Sequence, residues 1–139
     1  MEEKESYFPS EVAQMVVAFS DAHKHPSNQD NWAEYESFVP LNVQRVTPME
    51  KILLEEKDSY SPKEITQICL AYFRFYGKSQ NTIQEWAIYE ESVPANVQSA
   101  IANLNWIIND YNSGDRNNIE IRAKEGSFEK LLRLRKIIP

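Results

Sequence analysis

The segment Trp32-Ala-Glu-Tyr-Glu-Ser-Phe-Val-Pro-Leu-Asn-Val-Gln44 returns as Trp86-Ala-Ile-Tyr-Glu-Glu-Ser-Val-Pro-Ala-Asn-Val-Gln98, with nine of 13 positions identical at a spacing of 54. Upstream, Ser6-Tyr7-Phe8-Pro9-Ser10-Glu11-Val12 matches Ser59-Tyr60-Ser61-Pro62-Lys63-Glu64-Ile65 at a spacing of 53. The one-residue difference falls between the two blocks, where a loop is expected. A repeat of this period marks one supersecondary unit used twice. The reading is therefore an all-α chain built by tandem duplication of a three-helix unit. It makes a single helical domain over 1–139, with repeats 6–58 and 59–113 and a C-terminal extension over 114–139.

Local pattern supplies the helices. Val12, Met15, Val16 and Phe19 recur at the spacing of one helical face and predict a helix from Pro9 to Lys24. Ile65, Ile68, Cys69 and Tyr72 predict its twin from Pro62 to Tyr76, opened by the capping box Ser61-Pro62-Lys63-Glu64. Trp32, Tyr35, Glu36 and Val39, and likewise Trp86, Tyr89, Glu90 and Val93, mark the second helix of each unit. That helix must stop near Phe38 or Ser92, because the residue before a proline is pushed out of the α region. Pro40 and Pro94 then open a third helix. In the second unit it carries Val97, Ala100, Ile101, Leu104, Ile108 and Tyr111; in the first, a further capping box, Thr47-Pro48-Met49-Glu50, restarts it before Ile52, Leu53 and Leu54. Two units are too few for an open solenoid, so a closed six-helix bundle with pseudo-twofold symmetry is expected.

The extension stands outside the repeat. Ile119, Ile121 and Ala123 alternate with polar residues, which fits one short strand over 118–124. Ser127 is expected to cap an amphipathic helix bearing Phe128, Leu131, Leu132 and Leu134. Charge changes here too. Residues 1–114 hold 8 basic and 17 acidic groups, and residues 115–139 hold 7 and 4, so an acidic body carries a basic tail.

Across all 139 residues, 15 Lys and Arg stand against 21 Asp and Glu. Hydrophobic residues at 42% are enough for a core, which argues against wholesale disorder. No apolar run approaches the ~20 residues a membrane helix needs, and the opening Met1-Glu-Glu-Lys-Glu-Ser does not read as a signal peptide. With Cys69 alone there is no internal disulfide, so a reducing, cytoplasmic setting is expected. Three glycines leave little material for a phosphate loop, and no cofactor is expected.

Catalytic chemistry finds no set of residues. His23 and His25, the only histidines, share one loop; no Glu-x-x-His pair offers a di-metal spacing, and no metal site is expected. Cys69 lies on an apolar stripe and reads as a core thiol. Glu36 and Glu90 could pair across the repeat, but the simpler reading has each accept N–H groups of the next helix, near Asn42 or Asn96, where Gln44 and Gln98 also lie. Trp32, Trp86, Tyr35 and Tyr89 read as core anchors. The units diverge where Ser20-Asp21-Ala22-His23 becomes Phe73-Arg74-Phe75-Tyr76. Five bulky residues over 72–76 cannot all face one core, so Phe73, Arg74, Phe75 and Tyr76 form a candidate contact surface, unless tail docking covers them. The tail helix, with Leu131, Arg133 and Arg135, is the second. These features point to a non-enzymatic protein-interaction module, an adaptor or assembly factor with a protein partner; self-association stays open. Two alternatives rest on charge. The acidic body suits an inhibitor or immunity-type protein masking a basic target, and the basic tail suits accessory binding of nucleic acid.

Overall fold

A computed structural model describes residues 2–46, 54–76 and 82–139. The chain is all-α. Its described helices are α1 (Pro9–Lys24), α2 (Gln29–Phe38), α3 (Leu41–Gln44), α4 (Pro62–Tyr76), α5 (Ile83–Ser92), α6 (Ala95–Asn112), α7 (Ile119–Gly126) and α8 (Glu129–Leu134). None of them is long and apolar enough to cross a membrane.

Helix ends follow local chemistry. Val39 and Val93, each before a proline, adopt extended backbone and stop α2 and α5. At α4 the capping box forms both ways: the Glu64 N–H donates to Ser61 Oγ at 3.3 Å, and the Ser61 N–H donates to Glu64 Oε1 at 3.0 Å. Phe8 stands in the place of Ser61 at α1 and has no side-chain acceptor. Only the return bond is made there, from the Phe8 N–H to Glu11 Oε1 at 3.1 Å. The third helix of the first repeat is the four-residue α3, against 18 residues for α6. The box Thr47-Pro48-Met49-Glu50, with Ile52 and Leu53, lies outside the described residues, while Leu54 beyond it is buried.

α1 sits at the centre, packed against α2, α4 and α6. Val12, Ala13, Met15, Val16, Val17 and Ala18 are all buried, which is the pattern of a helix enclosed on most sides. Tyr7 and Tyr60, equivalent residues of the two repeats, form an antiparallel bridge, exchanging N–H···O bonds of 2.9 and 2.8 Å.

The extension completes the core instead of hanging from it. Phe128, Leu131 and Leu132 are buried with the residues of α1, α4 and α6. The buried Gln14 of α1 ties the tail in: its Oε1 accepts the Leu131 N–H and its Nε2 donates to the Ser127 carbonyl, both at 3.1 Å. Three expectations are corrected here. The stretch read as a strand is helix α7, because Ile119 and Ala123 are one helical turn apart and both buried, with Ile121 between them exposed. Ser127 is no N-cap: at φ 60° it closes α7 in the left-handed conformation, and α8 starts two residues later without a side-chain cap. Leu134, expected on the buried stripe, is exposed.

Candidate functional site

Each repeat opens with the same polar node. Tyr7 Oη donates to Asn42 Oδ1 at 2.9 Å and accepts the Lys4 N–H at 2.8 Å; Tyr60 Oη donates to Asn96 Oδ1 at 2.7 Å and accepts the Lys57 N–H at 3.0 Å. Asn42 and Asn96 return bonds of 2.6 Å to the carbonyls of Lys4 and Lys57. Lys4 pairs with Glu11 at 2.9 Å, and Lys57 with Glu64 at 2.8 Å. At the junction of the second and third helices, Gln44 and Gln98 donate to the Val39 and Val93 carbonyls at 2.6 and 2.7 Å. The expected role of Glu36 and Glu90 there is corrected: both side chains are exposed, and the side chains that bond the junction carbonyls are Gln44 and Gln98. These nodes are saturated with internal bonds, so they hold the fold together.

Aromatic rings repeat as well. In the first repeat His23 stacks on Phe19 with centroids 3.9 Å apart and meets Trp32 at 5.0 Å and Tyr35 at 5.7 Å. In the second, Tyr76 stacks on Tyr72 at 4.4 Å and meets Trp86 and Tyr89, each at 5.4 Å. Trp32 and Tyr35 stand edge-on at 5.8 Å, and Trp86 and Tyr89 at 5.9 Å. Helix pair α1–α2 and helix pair α4–α5 therefore share one packing geometry. His23 Nδ1 lies 2.9 Å from the Phe19 carbonyl, which can only accept, so that nitrogen is the donor.

The two pairs differ in what covers them. On the first, Arg135 from the tail reaches Asp21 and Glu34, each at 2.7 Å from Nη2, and its Nε adds 3.0 and 3.1 Å bonds to Glu34. Burial alone would lower the Arg135 guanidinium, but these carboxylates more than reverse it and hold its pKa above the ordinary value. On the second pair the equivalents of Asp21 and Glu34 are Arg74 and Ile88, and the equivalent of Gln29 is Ile83. All three are exposed, and Arg74 has no ion pair among the described residues. Ile83 is 89% exposed, Tyr76 46%, Ile88 41% and Trp86 36%. Ile83 and Trp86 are neighbours one turn apart on α5, and Trp86 touches Tyr76, so the apolar surface is continuous.

The structure divides the residues singled out from sequence. Phe75 is 3% exposed and packs on Tyr89, which corrects it to a core residue. Phe73 is half-buried edge-on against Phe19 and His23. Arg74 and Tyr76 remain at the surface. In the tail, Leu131 is fully buried and Arg135 is engaged internally, so neither forms a contact surface; Arg133 is exposed and bonds Glu129 and the Pro139 carbonyl. Trp86 is corrected from core anchor to rim residue, since α5 turns Tyr89 and Ser92 inward. Trp32 is half-buried and donates from Nε1 to the Pro26 carbonyl at 2.8 Å.

Burial pushes the Cys69 thiol up to about 12, so it holds no thiolate at neutral pH. Among the described residues no group of three or more His, Cys, Asp or Glu is placed to hold a metal ion. A groove of about 730 Å³ lies between α6 and α7 and includes the exposed Trp106 and the Asp110–Arg122 ion pair. Sequence reasoning passed over Ile83, Ile88 and Trp106. The signal for the first two was available: aligning the repeats puts isoleucine where the first unit has Gln29 and Glu34. No family model, no curated protein and no solved structure matches this chain.

Proposed function

We propose that the protein is a non-enzymatic interaction module, a duplicated three-helix scaffold that presents the outer face of α4 and α5 to a protein partner. The observation that carries this reading is the exposed apolar surface of Ile83, Trp86 and Tyr76. A contiguous apolar patch ringed by polar residues is the surface form that association buries, and Trp, Tyr and Arg are the side chains that most often dominate such contacts. Support for the duplicated scaffold comes from the congruent tyrosine–asparagine nodes and ring quartets at spacings of 53 and 54.

The two charge-based readings lose part of their motive. Arg122 pairs with Asp110, and Arg135 with Asp21 and Glu34, so tail and body neutralise each other in part. The test is co-purification from native extract of wild-type protein and an Ile83→Asp/Trp86→Ala variant. Ile83 is exposed and Trp86 lies at the rim, so helical circular dichroism should be kept, with at most a small drop in thermal midpoint from the lost Tyr76 and Tyr89 contacts, while the partner set retained by wild type is lost. Retention of the same set by the variant would refute the reading.

A further inference from the structure

Two helix faces wall the groove of about 730 Å³ between α6 and α7. Asn103, Trp106 and Asp110 follow one another at one-turn spacing along α6; opposite them stand Asn118 at the start of α7 and, again one turn apart, Arg122 and Glu125. The bond of 2.9 Å from Arg122 Nη1 to Asp110 Oδ2 joins the two walls directly. Buried Ile107 and Phe128 line the groove below, and Gly126 leaves room for the ring, since a Cβ there would collide with it. Asp115, in the turn between the helices, stands at the loop end.

The fold leaves this groove short of positive charge. The Trp106 indole is 65% exposed and makes no ring contact or hydrogen bond among the described residues. Asp115 and Glu125 have no ion pair there either, and Arg122 is committed to Asp110. Arg116, next to Asp115 in sequence, instead lies 3.8 Å over the Tyr111 ring and donates to the Tyr111 carbonyl. An aromatic face and two carboxylates therefore open onto one groove with no cation of their own. We infer that the groove binds a small organic cation bearing a guanidinium group, stacked on Trp106 in the field of Asp115 and Glu125. Indole is the best ring for a cation, and a planar guanidinium can stack while its edge donates to a carboxylate, which a rounded ammonium cannot do. An anion would meet three carboxylates against one guanidinium already paired. The α6 wall from Asn103 to Asp110 is about 10 Å long and the turn closes one end, which suits a compact ligand better than an extended chain. The site shares no residue with the Ile83, Trp86 and Tyr76 surface and does not depend on partner binding there.

NMR of the full-length protein can follow the indole Nε1–H signals of its three tryptophans, that of Trp106 identified by its loss in Trp106→Phe. The titrants are n-butylguanidinium, n-butylurea (the same shape without charge), n-butylammonium and acetyl-Gly-Arg-Gly-amide. n-Butylguanidinium should shift the Trp106 signal saturably while those of Trp32 and Trp86 stay in place, and should bind about ten-fold more tightly than n-butylurea. That preference should vanish in Asp115→Asn/Glu125→Gln. Both side chains are exposed and without an ion pair among the described residues, so the variant should keep the wild-type thermal midpoint. Equal binding of n-butylurea, no saturable shift of Trp106, or a preference that survives the double variant would overturn the inference. Equal binding of n-butylammonium would overturn the guanidinium assignment. Ten-fold tighter binding of the peptide than of n-butylguanidinium would overturn the small-molecule assignment and give the groove to a protein segment.

Discussion

Glu64 shows how a single side chain serves a helix end and a tertiary node at once. It accepts the Ser61 N–H of the capping box and the Lys57 ammonium with its two oxygens. Burial would raise its carboxyl, but the Lys57 bond and the Ser61 backbone and hydroxyl outweigh it and hold the pKa below 4.5. Because the folded value is the lower one, this stabilisation is complete above the unfolded pKa and is lost as pH falls through the folded one. Glu64→Gln should cost about 1 kcal/mol at neutral pH in urea unfolding. The gap from wild type should close in acid; a gap that does not change with pH would show that the charge is not what Glu64 contributes. The Ser-Pro-Lys-Glu box was legible because capping is local. The tyrosine–asparagine node was not, since Tyr60 and Asn96 meet only after α4 and α5 have folded between them.

At the scale of elements, the tail is held by one arginine and one glutamine more than by its own helical propensity. α8 has six residues, too short to persist alone in water. Arg135, with 17% of its side chain exposed, binds Glu34, itself at 14%. Arg135→Ala leaves that carboxylate half-desolvated, and should cost roughly 2–3 kcal/mol, less than a fully buried pair because Asp21 can rehydrate. Arg135→Lys should recover only part of this, because a point charge cannot span two carboxylates. Equal stability of all three proteins by chemical denaturation would contradict the latch. Helix starts at Pro9 and Pro62 and stops before Pro40 and Pro94 could be read from sequence, as proline acts through backbone sterics. The nature of 119–126 could not: three apolar residues two apart satisfy a strand and, at 119 and 123, a helical turn equally well. Packing on α6 decides between them.

For the whole molecule, the repeated sequence block and the matching bond networks recur on two helix pairs whose outer faces are unequal. The first is closed by the chain's own C-terminus and the second is left with Ile83, Trp86, Ile88 and Arg74 outward. Aligning the repeats finds the altered residues, and the spacing 65, 68, 72, 75 already turns Phe75 inward, but the bond from the Leu131 N–H to Gln14 joins distant helices and no local pattern reveals it. The most direct measurement is site-specific photo-crosslinking in native extract, with the crosslinking residue at position 83, at 88, or at the exposed Ala102 of α6 as reference. The account predicts one common adduct from positions 83 and 88, weakened by Trp86→Ala and missing from position 102. Adducts of equal yield at all three positions, or none at 83 and 88, would contradict it.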